Sequence, residues 1–279
     1  MTIDLYTLKA LPTYDNPFPL AKSPLIQCLT NTVTVESVAN ALLYVGAAPV
    51  MADQAAEMEV FFNQNDGALI NIGSLSPEKI RNILLAARTA EGTDTPFVLD
   101  LVGVSASPLR NDLAQEISAS APDVIKGNLS EMRTFCGLGS TGRGVDAGAD
   151  DQSEAALVEL GQAMQEWVSD HAGTTLLATG PVDVVADASG IYYLKNGVDN
   201  LGRFTGTGDI VGALITALLG AGQPVLDAVI LAVSYFNLCG EKADATTRGL
   251  ADFRQETLNN LSLLLQDDEW LTGIKGGQL

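Results

Sequence analysis

The feature that most limits what this chain can fold into is a rhythm of short apolar runs, each ending in a polar or glycine-rich tip before a segment of helical period. Leu25-Ile26-Gln27-Cys28-Leu29, Ala48-Pro49-Val50-Met51, Ala68-Leu69-Ile70-Asn71-Ile72, Phe97-Val98-Leu99-Asp100, Val124-Ile125-Lys126 and Thr175-Leu176-Leu177-Ala178 read as strands. Between the first two, Thr34 to Tyr44 places Val35, Val38, Ala39, Leu42 and Leu43 on one helical face. Asp53 to Asn63 reads as a helix, and Ser76-Pro77-Glu78 opens the next with Ser at the cap and Pro in the first turn. Continuous apolar strands alternating with helices imply an α/β fold: a central, mostly parallel sheet covered by helices on both faces.

The 279 residues, 47% hydrophobic, suffice for a single domain spanning 1–279. Pro12, Pro17, Pro19 and Pro24 mark an extended N-terminal arm over about residues 1–24, expected to pack on a neighbour or to stay mobile. Asp183 to Asp187 and Ile191 to Leu194 flank Ala188-Ser189-Gly190 as a hairpin, expected antiparallel at one edge of the sheet. After Asp209 only helices are expected: one to Leu219, one from Val225 to about Ala243 and one from about Asp252 to Leu265. Gly137 to Asp151, rich in Gly and Asp, reads as a flexible loop.

Ligands in such sheets collect beyond the carboxyl ends of the strands. Those ends read Thr30-Asn31, Met51-Ala52-Asp53, Asn71-Ile72-Gly73, Asp100, Lys126-Gly127-Asn128 and Thr179-Gly180. Further on, Arg203-Phe204-Thr205-Gly206-Thr207-Gly208-Asp209 runs directly into the apolar stretch Ile210 to Leu219. The glycines permit a tight entry to a buried helix whose first N–H groups lack intrahelical acceptors, which makes an anion site. A carboxylate beside such a site would repel a phosphate unless it has a chemical task, so Asp209 is the first catalytic candidate. Gly206, Gly208 and Gly212 mimic a dinucleotide fingerprint. The residues before them are polar, no strand follows their helix, and there is no Walker A sequence. A phosphate site with an adjacent carboxylate points to phosphoryl transfer to a small alcohol.

The charge balance narrows the partners. A formal net charge of -19, from 34 acidic and 15 basic residues, opposes binding to nucleic acid or to an acidic membrane surface. A nucleotide ligand would then need a divalent cation and a few local donors to offset its phosphates. Cys28, Cys136 and Cys239 are far apart and odd in number, without the spacing of a disulfide framework or a zinc site, and they fit a reducing cytoplasm. No spanning segment is legible, because Gly220, Gly222, Gln223 and Pro224 interrupt the charge-free run after Ile210. His171, the single histidine, reads as a helix C-terminal cap, so acid–base work falls to carboxylates.

Several stretches together resemble the hydroxyethylthiazole kinase family, whose fold is ribokinase-like. They are Asn31 to Asn40 (NTVTVESVAN), Gly46 to Asp53 (GAAPVMAD), Leu69 to Gly73 (LINIG), Val98 to Val104 (VLDLVGV), Asp123 to Glu131 (DVIKGNLSE), Gly144-Val145-Asp146, Thr179 to Asp187 (TGPVDVVAD) and Thr205 to Asp209, in order from about Leu25 to about Leu250. The resemblance implies ATP-dependent, magnesium-dependent phosphorylation of the hydroxyethyl arm of 4-methyl-5-(2-hydroxyethyl)thiazole in thiamine salvage. It also implies a homotrimer with active sites between subunits.

The wider kinase superfamily uses Asp where Asp209 stands, so Asp209 would be the base, and the amides of the Gly206 to Asp209 turn, Thr207 and Gly208 among them, would hold the moving phosphoryl group. Met51, Gly206 and Asn31 would contact the thiazole, and Lys126 and Thr179 would contact ATP. Asn128, Glu131 and Asp100 would meet the hydrated magnesium. The residues alone leave other readings open: Met51 as core, Gly206 and Thr179 as turn residues, and Asn128 with Glu131 as a capping box. Four positions depart from the family pattern. Lys126 stands where Arg is usual, Leu101 where Pro is usual and Ser105 where Gly is usual, while many members carry Cys in place of Asp209. The rival readings are another small-molecule kinase of this fold, such as a hydroxymethylpyrimidine or pyridoxal kinase, a nucleotide-dependent hydrate dehydratase, or a non-catalytic thiazole- or nucleotide-binding protein.

Overall fold

The computed structural model describes residues 8–139 and 150–279. Gly144-Val145-Asp146 and most of the expected 137–151 loop lie outside the described residues. The strands are β1 (Lys9–Ala10), β2 (Leu25–Leu29), β3 (Ala48–Val50), β4 (Gly67–Asn71), β5 (Phe97–Asp100), β6 (Val124–Asn128), β7 (Thr175–Thr179), β8 (Asp183–Asp187), β9 (Gly190–Leu194) and β10 (Gly276–Gln278). They form one sheet in the order β1-β10-β9-β8-β7-β6-β5-β4-β2-β3. Pairing is parallel from β3 through β7 and antiparallel from β7 to β1. The mostly parallel, two-faced sheet is the one the strand rhythm predicts.

The helices are α1 (Val35–Tyr44), α2 (Met58–Phe62), α3 (Pro77–Thr93), α4 (Pro108–Ser118), α5 (Leu129–Phe135), α6 (Glu154–Asp170), α7 (Thr207–Gly220), α8 (Val225–Asp244) and α9 (Leu250–Leu263). Because side chains alternate along a strand, Cys28, Leu69, Val98 and Leu177 feed a core with α1, α7, α8 and α9. Their neighbours Leu29, Ile70, Leu99 and Leu176 feed the opposite core with α2 to α6. Helix α7 is buried from Asp209 to Gly220, sandwiched between the sheet and its fellow helices. It lies so close to β4 that a Cβ on Gly67 would stand 3.1 Å from the Thr216 methyl. No helix among the described residues is long and apolar enough to cross a membrane.

Local signals act where the sequence places them. Ser76 caps α3 by accepting the Lys79 N–H at 3.1 Å, with Pro77 in the first turn. His171 is the C-cap of α6, its ring stacked on Trp167. Three expectations need correction. The 53–63 helix is a short turn of 3₁₀ helix over Ala55–Glu57 followed by α2. The hairpin β8–β9 forms but is not at an edge, because β10 and β1 continue the sheet past it. A strand also follows the helices after Asp209, and β10 escaped notice because Gly276-Gly277 carries no apolar pattern. Glycine is required there: a Cβ on Gly276 would stand 2.6 Å from the Tyr193 carbonyl oxygen, and one on Gly277 2.6 Å from the Leu8 Cβ. The arm, from Leu8 onward, lies along its own chain. Beyond β1 it buries Phe18 against Tyr235 and Trp270, while Asn16 bonds Asp268.

The turn between β7 and β8 is tied to α8 by a buried carboxylate. Asp183 accepts the Gly180 N–H and the Asn237 amide, both at 2.9 Å. Burial pushes its carboxyl up to about 7, against the pull of those two donors. The unfolded chain releases this proton near pH 4, so between about pH 4 and 7 the folded protein holds a proton that the unfolded chain has lost. Stability from that proton is complete below about pH 4 and is lost as pH rises through 7. Asp183→Asn is therefore expected to flatten the decline of unfolding free energy across this window, read by denaturant titration at stepped pH. A second expectation concerns α7: Leu214→Ala, at a fully buried position, should cost about 2–5 kcal/mol in the same titration.

Candidate active site

Strand register assembles the site. Asn71 pairs with Asp100 across β4 and β5, and Asp100 pairs with Lys126 across β5 and β6. Each lies two residues beyond an apolar residue, Leu69, Val98 or Val124, that faces α7, so all three side chains emerge in a row beneath the N-terminus of that helix. Asp100 and Lys126 form a buried ion pair at 2.7 Å, and Asn71 donates to the other Asp100 oxygen at 2.9 Å. Burial raises the Asp100 pKa, with Lys126 opposing and the Asp209 charge adding to the rise.

Helix α7 enters through Gly206, whose φ of 97° suits glycine and whose Cβ, if present, would stand 2.9 Å from the Thr34 methyl. The Ile210 N–H bonds the Gly206 carbonyl at 2.9 Å. The N–H groups of Thr207, Gly208 and Asp209 therefore precede the first intrahelical bond. Asp209, buried, is held by three side chains. Asn31 donates to Oδ2 at 2.9 Å, the Thr34 hydroxyl donates to the same oxygen, and Asn71 donates to Oδ1 at 2.9 Å. Lys126 reaches the underside of the same turn, its Nζ 3.5 Å from where a Gly208 Cβ would lie.

Asn128 and Glu131 form a complete capping box on α5: the Asn128 side chain accepts the Glu131 N–H at 2.9 Å, and Glu131 accepts the Asn128 N–H at 2.8 Å. The other Glu131 oxygen accepts the Gly103 N–H at 2.7 Å. Burial lifts its carboxyl to about 7 despite those donors, with Asp100 adding and Lys126 opposing. Arg110, on α4, holds the loops after β4 and β5 together by donating to the carbonyls of Ile72, Gly73 and Val102.

Asn31, Thr34, Asp100, Lys126, Glu131 and Asp209 line one cavity of about 910 Å³, large enough for a nucleotide and a small co-substrate together, with Asn71 and Arg110 packed behind its wall. Of the residues selected from the sequence, all but Met51 line it. Thr179 does so while its hydroxyl donates to the Gly127 carbonyl at 3.3 Å. Met51, at the end of edge strand β3, is half-buried against the core on the α7 side. Sequence reasoning missed Thr34 and Asn71 as partners of Asp209. Asn71 lies in a strand-end stretch named above as polar, whereas Thr34 reads only as the start of the first helix, whose N-cap it forms; that either meets Asp209 depends on the pairing of distant segments.

The model of the hydroxyethylthiazole kinase family matches residues 20–267. A hydroxyethylthiazole kinase of Lacticaseibacillus casei is 54% identical over 95% of this chain and 96% of its own, and one of Enterococcus faecalis is 49% identical over 96% and 99%. The solved hydroxyethylthiazole kinase of Pyrococcus horikoshii superposes with a TM-score of 0.82 at 30% identity, covering 94% of this chain and 96% of its own. A pyridoxal kinase of Bacillus subtilis, in an ADP complex, shares the fold, with a TM-score of 0.57 at 15% identity over 77% and 91%. A ribokinase-like sheet with the α7 entrance above its strand ends, together with likeness along nearly the whole length, makes this chain a member of the hydroxyethylthiazole kinase family.

Proposed function

We propose that this protein transfers the terminal phosphoryl group of ATP to the hydroxyl of 4-methyl-5-(2-hydroxyethyl)thiazole, a step of thiamine salvage. The observation that carries the reading is Asp209: a carboxylate fixed by three donors, in a cavity, at a helix entrance whose first-turn amides precede the first intrahelical bond. The alcohol oxygen attacks the phosphorus, the bond from phosphorus to the departing ADP oxygen breaks, and the hydroxyl proton passes to Asp209. A carboxylate is a weak base for an alcohol. In a loose transition state that suffices, because positioning dominates and the proton moves late. The N–H groups of Thr207 and Gly208 face the phosphoryl group, with Lys126 supplying positive charge below them. Thr179 stands at the nucleotide side, and Asn31 and Gly206 at the alcohol side.

Magnesium fits the residues in one form. Among the described residues no group of three or more His, Cys, Asp or Glu is arranged to hold a metal ion. Asp100 and Glu131 face the cavity with oxygens already bonded to Lys126, Asn71 and backbone N–H groups. That set suits an ion that arrives with ATP and keeps most of its water, with Asp100, Glu131 and Asn128 accepting from or orienting that water. Bound so, the ion would offset phosphate charge.

The position of Met51 supports a trimer with active sites between subunits: it lies off its own cavity, on an edge strand where it can meet a neighbour's. The expected mass in solution is three times that of one chain, read by sedimentation or light scattering, and a monomer would remove this assembly. The three unpaired cysteines fit the cytoplasm. For the chemistry, Asp209→Asn should lower kcat by about 10²–10⁴-fold while the thiazole alcohol still binds by calorimetry. A near-normal rate would remove Asp209 as base.

A further inference from the structure

Asn71 closes β4 and is fully buried. Its carboxamide oxygen accepts the N–H of Gly73 at 2.8 Å, and that bond decides which way the amide faces. The nitrogen is thereby aimed at the site, where it donates to Oδ2 of Asp100 and to Oδ1 of Asp209, each at 2.9 Å. Turned over, the amide would set an oxygen against two carboxylates and an NH₂ against an N–H. Gly73 has no room for a side chain: a Cβ there would stand 2.7 Å from the Asn71 oxygen and 3.1 Å from the Asn31 Cβ. The turn that orients the amide is packed as tightly as the amide itself.

The two carboxylates differ in what else holds them. Asp100 has Lys126 on its second oxygen at 2.7 Å. On Asp209, Oδ2 is reached by both Asn31 and Thr34, whereas among the described residues Asn71 is the donor to Oδ1. A carboxylate oxygen accepts two hydrogen bonds, so Oδ1 is the atom with capacity left for a substrate hydroxyl. One amide thus spends its two hydrogens on fixing both the reacting oxygen of the base and the partner of the buried lysine.

We propose that Asn71 is a positioning residue for phosphoryl transfer, holding Asp209 Oδ1 toward the alcohol and keeping it in register with the Asp100–Lys126 pair. This rests on the kinase reading above. In the step it serves, the alcohol proton moves to Oδ1 as the new bond to phosphorus forms and the bond to the ADP oxygen breaks. A misplaced base costs rate without costing ground-state binding, because the interaction matters only as the proton moves.

The test uses Asn71→Ala, Asn71→Asp and, in parallel, Asp209→Asn in the full-length protein. Steady-state kinetics are run with the thiazole alcohol and ATP, and thermal unfolding is recorded for each variant. Asn71→Ala removes the shared donor, and Asn71→Asp keeps the shape while adding a third carboxylate between two. Both are expected to lose kcat by about 30-fold or more, with KM for either substrate within about threefold of the parent. A rise in KM with kcat kept would overturn the proposal. So would a loss of kcat that only tracks the fraction of folded protein. If Asn71→Ala keeps kcat within about threefold while Asp209→Asn is inactive, the Asn71 role falls and the base assignment stands. If Asp209→Asn keeps its rate, the base assignment falls and takes this role with it. Should Asn71→Ala not fold, Asn71→Asp is judged by the same criteria, and failure of both to fold would make Asn71 structural and end the proposal.

Discussion

Burial of α7 on every side is the constraint on which the rest depends. From Ile210 to Leu219 the helix has no charge and one hydroxyl, that of Thr216, which bonds the Gly212 carbonyl within the helix. A helix apolar all round is stable only when covered all round, here by the sheet beneath and by α1 and α8 beside it. Once it is so enclosed, its N-terminus must open at the one place its polar residues can go, above the carboxyl ends of β4, β5 and β6. The amides of the first turn, Asp209 and the strand-end side chains then meet because the packing of a hydrophobic rod leaves them no other arrangement. Small residues let this rod lie close. A Cβ on Gly212 would stand 3.1 Å from Leu69 and 3.4 Å from the Lys126 stem, so glycine there makes room for the lysine to reach the helix entrance.

How much of this was legible in the sequence follows from which forces are local. Strand and helix alternation is written in apolar periodicity, and it recovers β2 to β9 and the two faces of the sheet. Caps are local too, so Ser76, Asn128 with Glu131, and His171 act as their residue types predict. What the sequence hid is set by backbone pairing between distant segments. Strand β10, Gly-Gly-Gln, exists because Tyr193 and its neighbours on β9 offer an edge, which β10 and then β1 cover. The hairpin therefore sits inside the sheet, where no property of residues 183–194 could announce it.

The site was legible as a set of residues and not as a network. Each strand end could be read as polar, but which side chains touch depends on register, and a shift of one residue would turn Asn71 or Asp100 to the opposite core. Nothing in residues 67–71 alone specifies that β4 meets β5 with Asn71 opposite Asp100. The capping box shows the complementary case. Sequence left open whether Asn128 and Glu131 serve a helix or a cation, and the geometry makes the helix role real while leaving the Glu131 carboxylate on the cavity wall. The backbone donors, Asn128 in the cap and Gly103 beside it, also fix where that carboxylate sits on the wall.

Charge balance at the entrance ties these features to chemistry. Asp100, Asp209 and Glu131 share the cavity wall with the buried Lys126, within a protein whose formal net charge is -19. Burying unbalanced carboxylates is costly, and the structure distributes the cost: Lys126 pairs with Asp100, neutral amides and a hydroxyl hold Asp209, and Glu131 is raised to about 7. At Asp209 the hydrogen-bond partners of the carboxylate among the described residues are neutral, two amides and a hydroxyl. Lys126 connects to this carboxylate only through Asp100 and then Asn71, so its positive charge lies beside the helix entrance without occupying an Asp209 oxygen. On the kinase reading proposed above, the remaining excess of negative charge would favour a nucleotide that brings its own divalent cation over one that arrives bare.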